Sequence, residues 1–128
     1  MARKKPKTLT KAELRVMEVL WQRRSGTVAD VVAALPPPPL AYTTVLTMLR
    51  ILEQKGVVKR KPDGRAHVYY PSIQRDDAAT SAVSDVLRSF FADSKTALAV
   101  RLMSEEKPNA DELASIKALI ARYEEESP

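Results

Sequence analysis

Apolar residues recur at helical spacing from the start of the chain. Leu14, Met17 and Trp21, with Val16 and Leu20, form the apolar side of a predicted helix that runs to about Arg23. Thr10 can cap it, Glu13 occupies the capping-box position, and Leu9 is placed to staple onto Leu14. Ser25-Gly26 ends it. Thr27 and Asp30 repeat the capping signature, followed by Val28, Val31, Val32 and Leu35 on a short helix. Pro36 to Pro39 must stop that helix and predict a stiff extended connector. A third helix is predicted from about Thr43 to Lys55, with Val45, Met48, Leu49 and Leu52 buried and Gly56 in place for a C-terminal cap.

Val57 to Lys61 and Ala66 to Tyr70 read as two strands about a turn at Pro62-Asp63-Gly64-Arg65. After Pro71-Ser72 the helical period returns: Ala78, Ala79, Ala82, Val83, Val86, Leu87, Phe90 and Phe91 carry it to about Ala92. Ser94 can cap a shorter helix from Lys95 to Ser104. Pro108-Asn109 precedes a last one, in which Leu113, Ile116, Leu119, Ile120 and Tyr123 face one way.

Three helices followed by a hairpin is the order of a winged helix-turn-helix. The expected fold is mostly α: a basic flexible arm (residues 1–7), a winged helix of three helices plus a β-hairpin wing (8–72), and a helical dimerisation domain (73–128). Charge follows the same division. Residues 1–72 hold 14 Lys and Arg against 5 Asp and Glu, whereas residues 73–128 hold 7 against 11. A polyanion is the partner implied for the basic half.

In a winged helix the third helix is the natural major-groove reader and the hairpin touches flanking backbone. Thr43, Thr47, Arg50 and Gln54 recur at i, i+4, i+7 and i+11, with Thr44 beside them. Threonines are poor helix formers, so something other than helix stability accounts for three of them here. A threonine hydroxyl can meet a base or phosphate, its methyl a thymine methyl, and Arg50 can fork onto guanine. Tyr42, at the helix start, can either stack or donate its hydroxyl to a phosphate. The alternative places Tyr42 beneath the helix and Arg50 in an ion pair with Glu53 or Glu18. Lys59, Arg60, Lys61 and Arg65 give the wing a charge suited to phosphate. For Arg3, Lys4, Lys5 and Lys7 a solvated arm and a DNA-tracking arm stand level. His67 reads as a surface strand residue.

About 55 residues in amphipathic helices are too few to bury their own apolar side chains. Val83, Val86, Leu87, Phe90, Phe91, Leu98, Leu102, Leu113, Ile116, Leu119 and Ile120 are the expected dimer surface, unless the helices fold back on a monomeric core.

Leu14 to Trp21 (LRVMEVLW), Ala41 to Leu49 (AYTTVLTML), Leu52 to Val58 (LEQKGVV) and Arg65 to Tyr70 (RAHVYY) together resemble the penicillinase repressors of the BlaI/MecI type. The resemblance spans essentially the whole chain. It implies a homodimeric repressor on dyad operators, with intertwined C-terminal helices, and places Thr44 and Thr47 at DNA-contacting positions. Thr43 and Leu46 depart from members that carry Lys and Arg there. The resemblance also implies derepression by proteolysis within the dimerisation segment, triggered by a membrane sensor metalloprotease. The matching bond is Arg101–Leu102, where those members have Asn-Phe.

The chain has no cysteine and one histidine, which leaves no thiolate chemistry and no protein-built zinc site. No cofactor is expected. No nucleophile–base pair or paired carboxylates stand out, so an enzyme is not expected either. The start of the chain has no apolar signal region, and the expected location is the cytoplasm, without membrane insertion. Two other readings use the same residues: a winged helix that binds a protein partner, and a regulator whose helical half encloses a small ligand around Phe90 and Phe91.

Overall fold

The computed structural model describes residues 8–127, and the basic arm lies outside them. The element order among these residues is α1 (Lys11–Arg23), α2 (Val28–Ala34), α3 (Tyr42–Gln54), β1 (Val58–Asp63), β2 (Ala66–Pro71), α4 (Arg75–Phe91), α5 (Lys95–Glu105) and α6 (Ala110–Glu126). It is a mostly α chain with a winged helix at its N-terminal end. Contacts divide it into two compact units, one ending at Asp85 and the other starting at Val86, inside α4.

Both predicted capping boxes form. Thr10 accepts from the Glu13 N–H at 3.1 Å, and the Glu13 carboxylate accepts from the Thr10 N–H at 2.8 Å. Thr27 and Asp30 do the same for α2. Helix α3 buries Val45, Met48, Leu49 and Leu52 as its period requires. On α1 the buried face is Val16, Met17, Val19 and Leu20. It is rotated from the expected stripe: Leu14 is exposed and Trp21 half-buried. These side chains, with Val28, Val31, Leu35, Val57, Val58 and Tyr69, make the core of the first unit.

The proline tract is not a straight rod, for the chain bends at Pro37 and Pro38. Strand β1 also runs further than expected, to Asp63, which pairs with Ala66 across a two-residue turn. Gly64 takes φ 63° there, a value that side chains resist. Pro62 stands opposite His67. In a two-residue hairpin that position falls between the hydrogen-bonded pairs, so the missing N–H costs no ladder bond.

The hairpin is tied back at two places. Gly26 and Tyr69 exchange backbone hydrogen bonds of 2.9 and 2.8 Å, which adds a one-residue third strand. Ser72 donates to the Gly56 carbonyl through its hydroxyl at 2.7 Å and to the Val57 carbonyl through its N–H at 2.9 Å. Beyond it, the Trp21 indole donates to the Ile73 carbonyl at 3.0 Å, and Arg75 lies over the same ring while pairing with Glu18. The start of α4 therefore belongs with the first unit.

No side chain of α4, α5 or α6 is buried. Ser94 and Asn109 cap α5 and α6, and Asn109 forms a capping box with Glu112. Among the described residues no helix is long and apolar enough to cross a membrane.

Candidate nucleic-acid interface

Helix α3 has one buried face, and it stands against α1 and α2 on that side. The other face is open. Tyr42, Thr43, Thr44, Thr47 and Arg50 are all exposed, Tyr42 at 54%, so Tyr42 does not pack beneath the helix. Among the described residues Arg50 forms no ion pair, because Glu53 pairs with Arg60 and Glu18 with Arg75. The stripe expected from the spacing is thus one continuous accessible surface.

Its chemistry is specific in one detail. The Thr47 hydroxyl donates to the Thr43 carbonyl at 3.0 Å, which uses its hydrogen and leaves its oxygen as an acceptor. Toward a ligand this threonine can accept a hydrogen bond or offer its methyl. At the N-terminus of the helix, the cap residue Ala41 makes no side-chain cap bond. The first-turn N–H groups have no partner within the helix and carry the positive end of its dipole.

The wing supplies the cations. Lys59, Arg60, Lys61 and Arg65 are exposed. Successive strand residues alternate in direction, so Lys59 and Lys61 share one face and Arg60 the other. Arg60 Nε lies 3.2 Å from the Glu53 carboxylate and so braces the wing against the end of α3. Sequence spacing assigned Arg60 to phosphate and did not find this brace. No local signal could have, since the pair joins two elements.

A buried ion pair fixes the same C-terminal end of α3. Lys55 Nζ sits 2.6 Å from Glu13 Oε1, with both side chains largely shielded. Burial alone would raise the Glu13 carboxyl. Hydrogen bonds from Lys55 and from the Thr10 backbone and hydroxyl, with the attraction of the Lys55 ammonium, bring it below the ordinary carboxylate range instead.

The expected dimer residues lie elsewhere on the chain. Val83, Val86, Phe90, Leu102, Leu113, Leu119 and Ile120 are exposed, with Phe90 at 80% and Leu102 at 64%. Leu87, Phe91, Leu98 and Ile116 are half-buried. Arg101 and Leu102 are both exposed within α5. An apolar groove of about 310 Å³ is present on the first unit, lined by Leu9, Leu14, Trp21, Ile73, Ala78 and Ala82 among others. Phe90 and Phe91 take no part in it.

The profile of one protein family, the penicillinase repressors, matches residues 9–122. The chain belongs to the penicillinase repressor family. It is 36% identical over 114 residues to the transcriptional regulator BlaI of Mycobacterium tuberculosis, covering 88% of this chain and 82% of that one. It is 24% identical over 121 residues to the penicillinase repressor of Bacillus licheniformis, covering 94% of each. The solution structure of the DNA-binding domain of the repressor BlaI is 34% identical in sequence and superposes with a TM-score of 0.51. That match covers 59% of this chain and 93% of the domain. Membership makes this family member a DNA-binding winged-helix repressor in kind.

Proposed function

We propose that this penicillinase repressor family member binds a pseudopalindromic operator as a homodimer and represses transcription by occupying promoter DNA. The observation that carries the proposal is the open face of α3, with Thr43, Thr44, Thr47 and Arg50 exposed beside a wing that carries Lys59, Arg60, Lys61 and Arg65. The α3 face chooses sequence, and the wing and the first-turn N–H groups of α3, with Tyr42, hold phosphate. Residues 8–72 act as the reading domain and residues 73–128 as the dimerisation domain, with the protein working in the cytoplasm. A second copy is called for because α4, α5 and α6 bury no side chain of their own.

Derepression is part of the same proposal. Cleavage at Arg101–Leu102, by a membrane sensor protease, would remove the end of α5 and all of α6 from the dimer surface. The bond is exposed but helical, so α5 must unwind locally to present it. The intact protein is the sample for the test: its mass by sedimentation, and its affinity for duplex DNA at about 50 and about 200 mM salt. The expected result is a two-chain species whose DNA affinity falls steeply with salt. A monomer whose binding ignores salt would overturn the proposal.

A further inference from the structure

Arg15 reaches from α1, outside the reading face, to the connector that leads into the reading helix. Its side chain is half-buried, and Nη2 donates to the Pro36 carbonyl at 2.7 Å and to the Pro38 carbonyl at 2.5 Å. Four consecutive prolines have no N–H to donate, so hydrogen bonding can hold this tract only through its carbonyls. Arg15 takes two of them. The tract is pinned at its ends by Leu35, which is buried, and Leu40, which packs against the core.

The bridge matters because the reading helix begins just beyond the tract. Helix α3 starts at Tyr42 and its cap residue Ala41 supplies no side-chain bond, so the helix does not fix its own start. The path of the connector sets where the first turn of α3, with Tyr42, Thr43 and Thr44, stands. We propose that Arg15 is a positioning residue for sequence discrimination, which acts by bridging the Pro36 and Pro38 carbonyls and so fixing the N-terminal turn of the reading helix.

This inference rests on the operator-binding reading above. Its test compares wild type, Arg15→Gln and Arg15→Lys in the full chain, on the duplex that wild type enriches from a random pool and on random duplex. Arg15→Gln should lower the operator-to-random affinity ratio about tenfold, the scale of one lost base contact, with random-duplex affinity kept within about twofold. Arg15→Lys, whose ammonium can still donate to both carbonyls, should restore most of the ratio. Amide exchange at Val45 and Leu46, the first residues hydrogen-bonded in α3, should quicken about fivefold in Arg15→Gln and not in Arg15→Lys. Equal losses on both duplexes would make Arg15 a phosphate-binding charge and overturn the inference, as would an unchanged ratio. A wild type with no operator preference would sink the operator reading itself. The exchange measurement then decides the bridge alone, and unchanged rates at Val45 and Leu46 would remove it too.

Discussion

On the proposed operator reading, Arg60 and Thr47 divide the work of binding by the groups they leave free. Arg60 is an exposed guanidinium that Glu53 partly neutralises at 3.2 Å, and it offers charge but no base code. Arg60→Ala should weaken binding to all sequences alike, by about fivefold at low salt, and flatten the salt dependence. Glu53→Gln should do the opposite and raise affinity for every duplex. Thr47→Ala removes an acceptor and a methyl from the reading face and should cut the operator-to-random ratio while random binding holds. Competition binding with both duplexes checks all three. Glu13 belongs to stability instead. Its carboxyl is lowered in the folded state, so the stabilisation is present above the unfolded value and is lost as pH falls through the folded one. Glu13→Gln should cost about 2 kcal/mol at neutral pH, a difference from wild type that shrinks on acidification, as denaturant titrations at several pH values would record.

Elements whose ends carry their own chemistry were legible in the sequence. Thr10 with Glu13, Thr27 with Asp30, and Asn109 ahead of α6 each fix a helix start with side chains a few residues away. The α3 period gave its four buried residues for the same local reason. Non-local contacts escaped. Gly26 read only as a helix end, yet it pairs with Tyr69 some forty residues on, and the Arg15 bridge and the Glu53–Arg60 brace also join distant elements. The rotated face of α1 has a similar origin, since Leu14 and Trp21 lie along a groove whose other wall is the start of α4. Asn109→Ala tests an element that local chemistry holds: losing the cap should cost about 1 kcal/mol and fray the first turn of α6, visible as lost ellipticity on mild heating.

For the molecule as a whole, DNA recognition and assembly are one problem, because a single reading helix cannot select a long site. On the proposed reading the apolar residues left exposed on α4 to α6 form the dimer surface, and Phe90 and Leu102 are the most open of those expected there. The double change Phe90→Asp and Leu102→Asp puts charge where one chain has nothing to lose and the proposed dimer would have a contact. It should yield a monomer whose winged helix melts normally and whose operator affinity drops by about a hundredfold, since the second half-site no longer binds as part of the same particle. A dimer that survives both changes would place the interface elsewhere. Whether a two-fold dimer reads sequence through α3 is decided by selecting bound duplexes from a random pool with the intact protein at moderate salt. The expected product is an enriched inverted repeat with half-sites about 34 Å apart or a multiple of that; salt-sensitive binding to every duplex, with no sequence enriched, would refute the dimeric reader.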